Sequence, residues 1–210
     1  TAILGYCSSL DVSEEESKDE HAAKSIAENG AKLTRVLDNL VEFANLDQET
    51  ESPILAECEL LPLLARCLYS QENQAKSKGL SFFVRFEGPV PINIHTHEER
   101  FSLILQNLVE NAIEFTNTGS ITIALHVTQE SSHSQLQIDV IDTGVGIQGE
   151  MIDCLFAPIT QKHSLNSDGL ERTGLGLAIG KKSADRLGAS LCLVDSLPNH
   201  GSCFRFNHDL

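Results

Sequence analysis

Between residues 18 and 48 apolar side chains return every seven positions. Ile26, Leu33 and Leu40 stand in one register, Val36 and Phe43 in the alternate one, and Asn29 takes one seam position. Leu37 and Ala44 widen the seam into a stripe. This period over about 30 residues predicts one long helix of the bundle or coiled-coil kind. Residues 1–10 read as the end of another helix, and residues 11–20 as an acidic connector without Gly or Pro. Two helices joined by a short turn make a hairpin. A lone hairpin has nowhere to bury its apolar face, so pairing with a second copy into a four-helix bundle is expected.

Pro53 ends this pattern. Residues 59–78 place Leu60, Leu61, Leu64, Cys67 and Leu68 on one helical face, closed by Gly79. Residues 80–87 read as a strand stopped by Gly88-Pro89. Residues 97–115 are strongly periodic and helical. Residues 119–127 and 135–141 alternate as strands around the polar stretch 128–134. A helix opens on glycines at 173–187, and strands at 190–195 and 202–206 flank Pro198 and Gly201. Three helices and five strands, the strands in antiparallel pairs, predict a two-layer α/β sandwich. The expected division is 1–52 for the helical hairpin and 53–210 for the sandwich.

Charge narrows the partners. Thirty acids against fifteen bases give a net charge of −15, which repels a phosphate backbone and argues against nucleic acid as principal partner. No run approaches the roughly 18 apolar residues of a membrane span. No charged-then-apolar leader is visible, so a soluble, cytoplasmic chain without direct membrane contact is expected. The six cysteines form no CxxC pair and lie at no ligand spacing to a histidine. They are expected to be reduced thiols acting as small apolar residues.

Three local patterns carry chemistry. In Asn107-Leu-Val-Glu-Asn111-Ala-Ile-Glu114-Phe115, two asparagines four apart share a helix face. A carboxamide oxygen is a hard, neutral ligand for Mg²⁺, and its NH₂ can reach a phosphate. In Ile141-Asp142-Thr-Gly144-Val-Gly146-Ile147, a strand ends in a carboxylate that can accept from an exocyclic amine. The two glycines let a ligand approach the backbone. In Arg172-Thr173-Gly174-Leu175-Gly176-Leu-Ala-Ile, two glycines open a helix whose amides and dipole favour an anion. It is neither a dinucleotide fingerprint, since no strand leads into it, nor a P-loop, since Lys-Ser/Thr is missing.

Taken in order, with Phe156 and Pro158 between the second and third, these patterns resemble the asparagine, glycine and phenylalanine boxes of sensor histidine kinases, within the superfamily of gyrase, the heat-shock chaperone and MutL. Gly201-Ser-Cys-Phe204 resembles the final glycine motif. Residues 1–6 (Thr-Ala-Ile-Leu-Gly-Tyr) resemble the tail of the helix carrying the phosphoacceptor. Leu37-Asp-Asn-Leu-Val-Glu-Phe43 resembles the end of the second hairpin helix.

The resemblance implies ATP and Mg²⁺ as cofactors. Asp142 would hold the adenine amino group, with Gly144 and Gly146 admitting the ring and Phe115 beside it. Asn107 would ligate Mg²⁺ and Asn111 would support the metal and phosphates. Thr173, Gly174, Leu175 and Gly176 would offer backbone amides to the phosphate chain. Residues 157–173 would form a lid, with Lys162, His163 and Arg172 as phosphate contacts. It further implies a homodimer through the N-terminal helices, and phosphoryl transfer to a histidine and then to an aspartate of a response-regulator receiver domain.

Some positions depart from that family. Glu114 stands where a base is common, so it is expected to oppose a triphosphate, and Ala157 replaces a common Glu. The acceptor histidine is not among these residues: the pattern would place it about seven positions before Thr1, and the surroundings of His21 do not resemble it. Two rival readings follow: a degenerate nucleotide-sensing scaffold, marked by Glu114, and a closure-type ATPase with Glu110 as general base.

Overall fold

The computed structural model describes residues 17–48, 53–88, 90–130, 133–158 and 174–210. The helix expected at 1–10 and most of the lid, with Lys162, His163, Arg172 and Thr173, lie outside the described residues. Two compact units divide between Asn45 and Leu46.

The first unit is helix α1 (Ser17–Gln48) up to Asn45. Its heptad residues Ile26, Leu33, Leu37 and Leu40 are exposed in the single chain.

The second unit holds two sheets and four further helices. Strands β1 (Ala56–Glu59) and β3 (Asn93–Thr96) pair antiparallel. Helix α2 (Leu60–Ser77) follows β1, with Pro62 in its first turn, where a missing N–H costs nothing. A five-stranded sheet has the order β2 (Ser81–Glu87), β4 (Ser120–Glu130), β5 (His133–Asp142), β7 (Gly201–Asp209), β6 (Ser190–Leu197). Between these lie helices α3 (Glu98–Phe115), α4 (Gly149–Ile152) and α5 (Leu175–Arg186). The two-layer α/β sandwich is observed.

Two expectations are corrected. β2 pairs parallel with β4, Phe82 opposite Ile121, rather than in an antiparallel pair. The chain between them runs through α3, and a crossover helix returns the second strand in the same direction. β1 and β3 were not expected as strands. Ala-Glu-Cys-Glu and Asn-Ile-His-Thr are too short and acidic or polar to signal by propensity. They pair across 36 residues, and their alternation buries only Cys58, Ile94 and Thr96.

The core lies between helices and sheet. Phe101, Ile104, Leu105, Leu108, Val109, Ala112 and Ile113 of α3 are buried, and face Ile121, Ile123 and Leu125 of β4 and Leu136, Ile138 and Val140 of β5 in one cluster. Full burial of one such side chain is worth about 1.5–3 kcal/mol. The alternate residues form the other face of the sheet, where Arg205 clasps Asp139 through two bonds of 2.7 and 2.8 Å. Five cysteines, Cys58, Cys67, Cys154, Cys192 and Cys203, are free thiols, and Cys7 lies outside the described residues. Burial pushes Cys203 up to about 11, so it is a protonated thiol near neutrality.

The last residues of α1 belong to the second unit. Leu46 is buried, Arg186 Nη2 donates to its carbonyl at 3.0 Å, and Lys182 pairs with Asp47.

Candidate nucleotide site

The site is organised by α3. Apolar periodicity fixes which of its faces enters the core, and the residues between emerge toward α5 and the loop after β5. Asn107 is 8% exposed, and its Nδ2 donates back to Leu103 O at 2.8 Å. That bond uses one of the two amide N–H groups and leaves Oδ1 as an acceptor. Oδ1 lies against α5: a β-carbon added to Gly176 would approach it to 2.9 Å. One turn on, Asn111 Nδ2 is buried without a hydrogen-bond partner. An unpaired buried amide costs about 1–3 kcal/mol, and such a group awaits an acceptor.

Helix α5 starts from Gly174, whose φ of 57° is the left-handed conformation that suits glycine. Among the described residues no side chain caps it, and its first amides lie at the positive end of the helix dipole.

The third part is the loop 142–147. Asp142 ends β5 on the buried face, at 6% exposure, and its Oδ1 accepts the Gly144 amide at 2.8 Å. Burial pushes its carboxyl above the ordinary carboxylate range, while the Gly144 and Ser202 amides pull it partly back. The loop is tied to α3 by Val145 N–H donating to Phe115 O at 3.1 Å. Gly144 sits so close that a β-carbon would come within 2.3 Å of that same carbonyl. Phe115 and Glu114 are half-buried at the end of α3, and Lys78 Nζ donates to the carbonyls of Ile113 and Glu114 at 2.7 and 3.1 Å.

Asn107, Asn111, Phe115, Asp142, Gly144, Gly146, Gly174, Leu175 and Gly176 thus all belong to α3, the loop after β5 and the start of α5. Phe156 stacks edge-on against Phe204 at 6.3 Å, tying the phenylalanine box to β7. The sequence reading gave no role to Ser196 and Ser202, whose hydroxyls lie 3.0 Å apart beside this loop. Two serines in a hairpin carry no local signal; only the pairing of β6 with β7 brings them together.

Among the described residues no group of three or more His, Cys, Asp or Glu could hold a metal. A divalent ion here would therefore rest on carboxamide oxygen and on its own ligand's oxygens, a donor set suited to Mg²⁺. The Oδ1 of Asn107 beside the start of α5 and the unpaired amide of Asn111 fit such a metal–phosphate group.

This fold and site define a nucleotide-binding ATPase domain. Residues 96–210 match the family described as histidine kinase-, DNA gyrase B- and HSP90-like ATPase, and the chain belongs to that family. It is 29% identical over 210 residues to hybrid signal transduction histidine kinase B of Dictyostelium discoideum, covering 98% of this chain and 11% of that protein. It is 27% identical over 197 residues to the autoinducer 2 sensor kinase/phosphatase LuxQ of Vibrio vulnificus strain YJ016, covering 93% of this chain and 23% of that protein. The chain thus spans about a tenth to a quarter of the length of these relatives. Among solved structures it resembles full-length ShkA in complex with AMPPNP, at TM-score 0.74 and 23% identity over 98% of this chain and 42% of that one. It also resembles the nucleotide-free catalytic domain of histidine kinase ThkA, at TM-score 0.59 and 23% identity over 73% and 94%.

Proposed function

We propose that this chain is the catalytic region of a sensor histidine kinase: it binds Mg²⁺-ATP and directs the γ-phosphoryl group to a histidine, for relay to an aspartate on a response-regulator receiver domain. The observation that carries this reading is the meeting of three elements on one helix. The Asn107 carboxamide abuts the start of α5, and Phe115 O holds the loop of Asp142.

In this reading the buried Asp142 carboxylate accepts from the adenine amino group, and Gly144 and Gly146 leave room for the ring beside Phe115. Asn107 Oδ1 holds Mg²⁺, and Asn111 Nδ2 gains a phosphate oxygen as its missing acceptor. The amides at Thr173, Gly174, Leu175 and Gly176 cradle the phosphate chain, with Lys162 and Arg172 closing over it. The protein's work is positioning and charge neutralisation. When bound, Mg²⁺ offsets the triphosphate charge. The relatives' names and the AMPPNP complex of ShkA support the nucleotide and the phosphotransfer.

Residues 1–52 serve dimerisation and residues 53–210 serve ATP binding. The exposed heptad face of α1 supports a homodimer through the N-terminal helices. Among the described residues no helix is long and apolar enough to cross a membrane.

Calorimetry with ATP, with and without Mg²⁺, tests the nucleotide half. Acid-labile, base-stable ³²P incorporation tests the transfer. The 210-residue chain is expected to bind Mg²⁺-ATP without labelling any of its own histidines, and a chain extended at its N-terminus through the hairpin to be labelled. Absence of ATP binding, or labelling at His21, would sink this assignment.

A further inference from the structure

The five-stranded sheet ends in two edges that are built differently. At one edge, β6 carries a register shift against β7 between Leu193 and Asp195. A bulge and an added charge keep a foreign strand off an edge. At the other edge, β2 has no such break. Among the described residues it pairs with β4 alone, in unbroken register from Ser81 to Glu87. It contains no Pro, Gly or Lys, and Phe83, Val84 and Phe86 are exposed.

The backbone shows which groups are free. Ser81 N–H donates to Gly119 O at 3.0 Å, on the β4 side. In a parallel ladder the N–H and C=O of every second residue face the same neighbour, because successive peptide groups point opposite ways. Ser81, Phe83, Arg85 and Glu87 therefore direct theirs at β4, and Phe82, Val84 and Phe86 turn theirs to the open edge. The side chains of these last three share one face of the sheet, on which Phe82 packs against the core cluster.

Such an edge is complementary to itself. Turned about a two-fold axis at Val84, a second β2 runs antiparallel to the first. Val84 then meets its own twin, and Phe82 meets Phe86 of the second copy in both halves. Each of these pairs exchanges two backbone hydrogen bonds, which satisfies every free group of the three residues on both edges. The three apolar side chains of each copy come together beside the core. On the opposite face, Phe83 lies across from Arg85 of the second copy, a ring against a guanidinium. Sliding the register one step leaves Phe86 opposite Leu80, or Phe82 opposite Gly88, both outside the strand. The second of these shifts also sets Arg85 against itself.

We propose that the open edge of β2 is a self-association surface, separate from the N-terminal helices, through which the sheets of two copies join into one. The contact is weak, because seven residues fall well short of the roughly 20–30 per side of a standard interface. Copies carrying a net charge of −15 also repel one another, so association strengthens with salt as well as with protein concentration.

The experiment uses the full chain with exposed Cys192 replaced by serine, at about 0.3 M salt, where screening is strong. Val84→Cys and Phe86→Cys are oxidised with diamide. The two positions are 41% and 46% exposed, so chance collision favours neither. Across the axis, Val84 lies about 5.5 Å from its twin, within reach of a disulfide, whereas Phe86 lies about 13 Å from its own. Val84→Cys is expected to cross-link at least tenfold faster. Separately, Val84→Lys sets two cations face to face at the axis. In sedimentation the mass of the parent should rise with concentration above that of Val84→Lys, with both folded by circular dichroism. Equal or reversed cross-linking rates overturn the proposal. So does a parent mass that matches Val84→Lys at every concentration, as when other residues of the same chain already cover the edge.

Discussion

The carboxamide oxygen of Asn107 lies against Gly176, where a β-carbon would approach it to 2.9 Å. The asparagine of α3 and the second residue of α5 thus share one small volume, although 69 residues of chain separate them. Gly176→Ala is expected to push Asn107 aside. Alanine is the better helix former by up to about 1 kcal/mol, so the fold should persist. Mg²⁺-dependent ATP affinity should fall about tenfold, measured by calorimetry with and without Mg²⁺. An equal loss in both conditions would show that Asn107 does not serve the metal.

Asp142 sets function against stability. Its carboxyl is raised by burial, so the native state holds its proton more tightly than the unfolded chain does. The sign follows: the charge costs nothing below the ordinary value of 3.8, and its cost appears as pH rises through the raised value. At neutral pH the cost is in force. Asp142→Asn keeps the oxygen that accepts from Gly144 and removes the charge. Its melting temperature should equal or exceed the parent's, while ATP affinity falls roughly 10- to 100-fold. Thermal denaturation and calorimetry on the same protein would check both signs.

Lys78 closes the C-terminal end of α3, where carbonyls lack intrahelical partners. Lys78→Met should cost about 1 kcal/mol. For a domain of this size that is about 2–4 °C in melting temperature. Because Val145 is held by Phe115 O rather than by Lys78, ATP affinity should stay within about twofold. A larger affinity loss would mean that the end of α3 moves when its cap is removed.

His208 predicts a pH dependence of stability. It is 3% exposed, stacks on Phe206 at 6.0 Å and donates Nε2–H to His95 O at 2.9 Å. Burial lowers its pKa from 6.5, so the unfolded chain takes up a proton that the native state resists. Stability contributed by the neutral ring is complete above about pH 6.5 and is lost as pH falls below it. Urea denaturation at pH 5.5 and 7.5 should show this slope. His208→Phe should flatten it, and an unchanged slope would assign it to other groups.

The sequence by itself determined the local elements and the chemistry of each. Heptad spacing marks α1, two-residue alternation marks β4 and β5, and Asp142, Gly144, Gly174 and Gly176 are legible because a carboxylate at a strand end and glycines at a helix start have local physical causes. What only the tertiary structure decided is everything that depends on distant chain meeting. β1 and β3 are strands because they pair with each other, not because Ala-Glu-Cys-Glu prefers to be extended. β2 runs parallel to β4 because α3 lies between them in the chain. Residue types announced Asn107 and Gly176, but their contact depends on how α5 packs across α3. Ser196 had no signal at all, since a hydroxyl's role is set by the groups it faces, and the amide that donates to it, Ile147 N–H, belongs to a loop 49 residues earlier. Short-range patterns are written in the sequence because they arise from torsions and spacing within a few residues; the site is not, because its contacts exist only once the core has closed.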